Sequence, residues 1–361
     1  MPAFPEHYWF SDRKEADMKM IGGTFPPEKT ETTENGYFSR ICPADGEVRF
    51  TMSGRCGIYY CLQDISLTDT KKTAYVPIYT CETVIAPFVK AGYALRFYEI
   101  GEDLHSVFDP EALDEISVIS LCGYYGFCNY DRDFVKECKN RGIVVMEDVT
   151  HSLLSADGVD PLCDYVAGSF RKWMGVPCGG FAMKARGRFQ AELMPPHPEH
   201  LSLRIRTISE PGNDLFWEGE MLLRQIFDSY ASDEASEYTL RHADLEEISR
   251  KRRTNYQAVL DGLHPDLSGL RVIFPQLTDA AVPSHFVLYA EERDALQRFL
   301  LERDIRSTVY WPVGPKVDLT GHDTARYIYE HILAIPCDQR YTPADMARVS
   351  GALNEFGGSH D

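Results

Sequence analysis

Two stretches decide the architecture: Ile143-Val144-Val145-Met146-Glu147-Asp148-Val149-Thr150-His151, and Gly168-Ser169-Phe170-Arg171-Lys172-Trp173. The first is a short apolar run that ends in a carboxylate. The second follows another apolar run, Tyr165-Val166-Ala167, and passes through a small-residue turn to a lysine. A buried parallel strand reads as such a run, and its carboxyl end is where a ligand-facing polar residue emerges. Around these stretches, Tyr75 to Pro77, Leu95 to Tyr98, Ser117 to Cys122, Ile143 to Met146 and Phe181 to Met183 also read as strands. Cys56 to Ile65, Val84 to Ala91 and Arg132 to Arg141 read as helices between them. Strands spaced by helices imply right-handed crossovers and an α/β fold with a mostly parallel central sheet flanked by helices.

The rest of the chain is organised around that core. Residues 1 to 45, rich in Pro, Glu, Thr and Gly, read as an irregular N-terminal arm, residues 46 to 240 as a large domain, and residues 241 to 361 as a smaller C-terminal α+β domain. In that last part a long helix is expected over His242 to Leu263. Strands are expected at Val272 to Phe274, His285 to Tyr289 and Ser307 to Tyr310, and helices at Arg293 to Glu302 and Ala344 to Phe356. Residues 186 to 235 follow no clear pattern and read as a crossing segment or a contact between subunits.

Composition removes several classes of function. The formal net charge of −18, from 55 acidic against 37 basic residues, opposes a nucleic-acid partner, since such binding needs a basic surface. The one basic run, Arg250 to Arg253, follows Glu246 and Glu247 in a helical pattern and reads as a solvated helix face. No apolar run is long enough for a membrane span, and Met1 to Met20 is charged where a signal peptide would be apolar. The ten cysteines form no Cys-x-x-Cys pair and sit inside apolar segments, as reduced cytoplasmic thiols do.

Asp148 and Lys172 together suggest a specific chemistry. A carboxylate facing a pyridine nitrogen keeps that nitrogen protonated, and a lysine amine nearby can form a Schiff base, which are the two requirements of a pyridoxal 5'-phosphate (PLP) enzyme. His151 is placed to reach the ring's phenolic oxygen, or is a core histidine satisfied by backbone. Ser53-Gly54-Arg55-Cys56-Gly57 opens a helix whose free amides suit the cofactor phosphate, with the Ser169 hydroxyl as a second ligand.

The order of these pieces resembles the DegT/DnrJ/StrS aminotransferases. The resemblance is carried by Ser53 to Cys56, Pro77 to Cys81, Tyr125-Gly126, Glu147 to His151, Gly168 to Phe170, Lys172 and Gly179 to Phe181. It covers residues 46 to 185 well and continues more faintly through Arg252 to Tyr256, Tyr310 to Pro312 and Ile332 to Pro336. It implies a fold type I PLP protein, a homodimer, that moves an amino group from glutamate to a keto sugar nucleotide or a related carbonyl compound. On that resemblance Lys172 is the Schiff-base lysine, Asp148 the ring-nitrogen partner and His151 the neighbour of the phenolic oxygen. Ser169, Gly54 and the backbone of Arg55 and Cys56 form the phosphate cup.

The chain also departs from the pattern. Cys81 stands where the family places an aromatic ring over the cofactor, Ser169 and Lys172 are closer together than is usual, and Tyr310 stands where a histidine is common. Two other readings keep the fold: a PLP-dependent sugar dehydratase or lyase, against which the lysine argues, and a non-catalytic PLP-binding protein.

Overall fold

A computed structural model describes residues 19–210 and 215–358. Much of the expected N-terminal arm, residues 1–18, lies outside the described residues. In chain order the elements are α1 (Tyr37–Ile41), β1 (Glu47–Thr51), α2 (Gly54–Ile65), β2 (Thr73–Pro77), α3 (Glu82–Lys90), β3 (Ala94–Ile100), β4 (Ser106–Val107) and β5 (Val118–Cys122). There follow α4 (Arg132–Asn140), β6 (Val144–Asp148), β7 (Tyr165–Ser169), β8 (Gly180–Lys184), α5 (Pro198–Ser209), α6 (Leu215–Ile226), α7 (Glu234–His242) and α8 (Leu245–Gly262). The chain closes with β9 (Leu270–Val272), β10 (Phe286–Ala290), α9 (Arg293–Leu301), α10 (Asp323–His331), β11 (Ile332–Ile335) and α11 (Pro343–Gly358).

Eight strands form one sheet in the order β1-β8-β7-β6-β5-β2-β3-β4, parallel from β7 through β3. The inner strands are apolar on both faces because helices cover both sides: every residue of Val118–Cys122 is buried. Helix α2 begins where Ser53 caps it, its hydroxyl accepting from the Cys56 amide at 3.2 Å. Ile58, Cys61, Leu62 and Ile65 recur at helical spacing, and all are buried. After β3 and β4 the chain returns to the far side of β2 to form β5. The strand order therefore reverses between β2 and β5, a switch point of the kind at which open α/β sheets hold ligands in a crevice outside the carboxyl ends of the strands. Strand β6, with Asp148 as its last residue, borders that crevice.

A second, antiparallel sheet, β11-β10-β9, carries a separate apolar cluster with α8, α9 and α11. Several expectations are corrected here. The long helix expected over His242 to Leu263 is α8, which starts at Leu245: Ala243 ends α7, and Asp244 caps α8, its carboxylate accepting from the Glu247 amide at 2.9 Å. Ser307 to Tyr310 contributes only a bridge between Thr308 and Ala334. The segment expected to be irregular contains α1, whose Tyr37 and Phe38 pack edge-on against Phe170, Phe50 and Phe181. The basic run on α8 is not uniformly solvated either. Arg250 and Lys251 pair with Glu247 at the surface, but Arg252 is fully buried. Its guanidinium donates to the carbonyls of Ser284 at 2.9 Å and Trp173 at 3.1 Å, tying α8 to the turn that follows Lys172.

Candidate active site

Asp148 ends β6 opposite Cys122 of β5 and Ala167 of β7. Its Oδ1 accepts from the Thr150 amide at 3.0 Å and the Thr150 hydroxyl at 2.6 Å. No donor among the described residues reaches Oδ2. Burial raises the carboxyl's pKa above the usual range, while the Thr150 bonds and the Lys172 charge pull it back.

Lys172 closes a single 3-10 turn, Phe170–Lys172, directly after β7. That turn is fixed to the Asp148 loop: the Trp173 indole donates to the Thr150 carbonyl at 2.8 Å, and Thr150 in turn holds Asp148. The lysine amine lies 4.4 Å from the centre of the Tyr310 ring and forms no ion pair or hydrogen bond among the described residues. Its charge acts on Asp148, His151, Cys81 and Glu220.

His151 is buried between aromatic rings, edge-on to Tyr125, Tyr310 and Trp311 at 5.3 to 5.5 Å. Burial, with the Lys172 and His285 charges, holds its pKa well below the ordinary histidine value. Its Nδ1 lies 3.4 Å from the Ser284 hydroxyl, which is also 3.2 Å from Nδ1 of His285. Its Nε2 is buried with no partner. If Ser284 donates to Nδ1, the proton of the neutral ring sits on Nε2 and points at the crevice.

The opposite end of the crevice is built for an anion. The start of α2 abuts the end of β7, and a Cβ on Gly54 would lie 3.2 Å from the Ser169 Cβ. The first amides of a helix lack intrahelical acceptors and carry the positive end of its dipole. The Cys56 amide is engaged by Ser53, which leaves those of Gly54 and Arg55. Ser169 makes no side-chain cap hydrogen bond. Cys81 caps α3 beside this end, its thiol pKa raised by burial.

The structure thus brings Lys172, Asp148, His151, Ser169, Gly54, Arg55, Cys56 and Cys81 to one edge of the sheet. It sets other residues around them. Tyr79 and Tyr125 share a hydroxyl contact of 2.9 Å beside Tyr310, and Ser284 and His285 stand behind His151. His285 reads in sequence only as the start of a strand. Arg204 and Glu220 belong to the segment that showed no pattern.

These residues fit PLP. An unpaired amine, a carboxylate with a free oxygen, a buried ring nitrogen without a partner and an open helix start match the cofactor's aldehyde, pyridine nitrogen, phenolic oxygen and phosphate in chemical kind.

Solved structures share the architecture. DesV of S. venezuelae, in complex with a ketimine intermediate, is 19% identical, with a TM-score of 0.65 over 91% of this chain and 89% of that one. DesI in the presence of its TDP-sugar product is 17% identical, with a TM-score of 0.67 over 96% and 95%. PseC of Helicobacter pylori, an aminotransferase in pseudoaminic acid biosynthesis, is 14% identical, with a TM-score of 0.67 over 94% and 100%. This chain has the fold of the fold type I aminotransferases. No protein-family model matches the sequence, and none of the curated proteins matches it.

Proposed function

We propose that this protein is a PLP-dependent aminotransferase of the DegT/DnrJ/StrS kind. It would move an amino group from a donor such as glutamate to the keto group of a sugar nucleotide or a related carbonyl compound. The observation that carries the reading is the unpaired Lys172 amine set in one crevice with the Asp148 carboxylate. When bound, the cofactor supplies an electrophilic aldehyde and a ring that accepts the electron pair released at the substrate carbon.

The chain's own residues do the rest. Lys172 would hold the aldehyde, and its Nζ would be the base that takes the proton from the substrate carbon. Asp148 offers Oδ2 to the ring nitrogen and keeps that nitrogen protonated, while Thr150 fixes the carboxylate through Oδ1. His151 donates from Nε2 to the phenolic oxygen, and Ser284 sets its tautomer. The Gly54 and Arg55 amides and the Ser169 hydroxyl hold the phosphate. Tyr79, Tyr125, Tyr310 and Trp311 wall the crevice and exclude water.

The neighbours support the acceptor class, since DesI has a TDP-sugar product and PseC is an aminotransferase involved in the biosynthesis of pseudoaminic acid. We read the enzyme as two-part, with residues 46 to 240 binding the cofactor and 241 to 361 closing over it, as homodimeric and as cytoplasmic. Exposed Ile205, Phe216, Trp217 and Met221 on α5 and α6 fit a subunit contact, and ten free thiols fit a reducing compartment. No described helix is long and apolar enough to cross a membrane.

The test is direct. Incubation with PLP followed by borohydride should leave a pyridoxyl group on Lys172 by mass spectrometry. Glutamate should convert the cofactor to its amine form, and Lys172→Ala should abolish both. A wild-type protein that takes no label on Lys172 overturns the proposal.

A further inference from the structure

Helices α5 and α6 pack on each other and enclose charged side chains. Arg204 of α5 is almost fully buried and pairs with Glu220 of α6. Arg171, next to Lys172 in the chain, donates from Nη2 to the same Glu220 oxygen at 3.1 Å. Arg55, at the start of α2, is buried with its guanidinium over the Phe227 ring and 3.9 Å from Glu82, beyond hydrogen-bond reach. Glu220 feels Arg204, Arg171, Lys172 and Arg55 in that order, and their combined charge overcomes burial to hold its carboxyl well below the usual range. Glu220 thus pairs with both Arg171 and Arg204, and the charges of Lys172 and Arg55 also act on it.

The hydrogen-bond inventory of this cluster is incomplete in a particular way. Nε and Nη2 of Arg55, which together make the side edge of the guanidinium fork, are buried and have no acceptor. Nε and Nη1 of Arg171 are likewise buried and unengaged. A desolvated guanidinium edge without an acceptor is costly, and a planar fork of this kind matches phosphate or carboxylate oxygens in pairs. The open start of α2 and the unengaged Ser169 hydroxyl lie beside it. Nothing among the described residues completes these bonds, although Glu220 pairs with Arg171 and Arg204.

We propose that Arg55 and Arg171, braced by Glu220 and Arg204, form a phosphate-binding subsite beside Lys172. Two sources of that phosphate are compatible with the place: the 5'-phosphate of the cofactor, and a phosphate or diphosphate carried by the acceptor. The subsite deepens the aminotransferase reading and rests on it for the identity of the ligand, but not for the binding of an anion.

Calorimetric titration of the full cofactor-free chain with inorganic pyrophosphate tests the subsite. Wild type and Arg206→Gln, a control whose side chain is exposed on the same helix α5, should bind alike. Arg171→Gln and Arg55→Gln should each weaken binding roughly tenfold or more, as loss of a charged hydrogen-bond pair does. Arg171→Lys, a milder change at a partly exposed position, keeps the charge without the fork and should fall between.

Repeating the titration on PLP-loaded protein separates the sources. If PLP excludes pyrophosphate, the subsite holds the cofactor's own phosphate, and pyridoxal, which lacks it, should bind wild type and Arg171→Gln equally. If the two bind together, the phosphate belongs to the acceptor. A wild type that binds no pyrophosphate, or arginine variants with native circular dichroism that bind it as wild type does, overturns the subsite. Pyrophosphate binding without borohydride labelling of Lys172 would instead sink the aminotransferase reading and leave the subsite standing.

Discussion

Asp148 concentrates the chemistry into one carboxylate with two differently used oxygens. Oδ1 is committed to Thr150, and Oδ2 has no donor among the described residues. An amide can replace Oδ1 as an acceptor but cannot balance a protonated ring nitrogen, so Asp148→Asn separates the fold from the chemistry. The variant should fold and label at Lys172 as wild type does. Its rate of amino transfer from glutamate should fall by at least about a hundredfold, the scale on which removing one preorganised charge partner acts. Single-turnover absorbance measurements read this directly. An Asp148→Asn enzyme within a few-fold of wild type would remove Asp148 from the ring-nitrogen role.

Between residues and domains, the element that most constrains the site is α2, because its first turn lies against β8 and β7 with almost no clearance. A Cβ on Gly57 would sit 2.4 Å from the Phe181 carbonyl oxygen, which is backbone and cannot rotate away. Gly57→Ala should therefore push the helix start off the sheet, lower the unfolding free energy by about 2 kcal/mol and weaken PLP binding. Gly351→Ala on α11, where nothing lies within 4 Å, should leave both nearly unchanged. Urea denaturation with PLP titration compares the pair, and equal behaviour would refute the packing argument. The same element shows what sequence alone conveys. The cap Ser53, the apolar spacing of α2 and the all-apolar strands β5 to β7 are local signals, and they placed Asp148 and Lys172 on one edge. Strand β1 was missed because Glu47–Thr51 alternates polar and apolar residues as an edge strand does. Arg252 was misjudged because its acceptors, the carbonyls of Ser284 and Trp173, are distant in sequence. The arginine cluster was invisible for the same reason: Arg55, Arg171 and Arg204 meet only when α5 and α6 fold back over α2.

At the scale of the whole molecule, a chain with a formal charge of −18 keeps several histidines uncharged inside it. Burial, aided by nearby cations, holds His151 and His285 well below their ordinary pKa of 6.5 and pulls His200 down to about 3. The unfolded chain binds protons at these three sites below pH 6.5 and the folded chain does not, so their neutrality costs stability progressively as pH falls. Glu147 acts in the opposite sense. Burial raises its pKa to about 7 against opposing bonds from the Asp160 amide, Tyr130 and Cys163, so its folded form takes up a proton that the unfolded form releases down to 4.5. That contribution is fully present below pH 4.5 and is lost as pH rises through 7. Between pH 7.5 and 5.5 the three histidines together remove roughly 4 kcal/mol, and Glu147 returns a little under 2, at about 1.4 kcal/mol for each proton and pH unit. The cofactor-free protein should thus be about 2 kcal/mol less stable at pH 5.5 than at pH 7.5. His285→Gln should lose about a third of the histidine part of that slope, and Glu147→Gln should steepen it. Urea unfolding at a series of pH values measures both, and a stability that stays flat or rises on acidification would show that these imidazoles are charged within the fold.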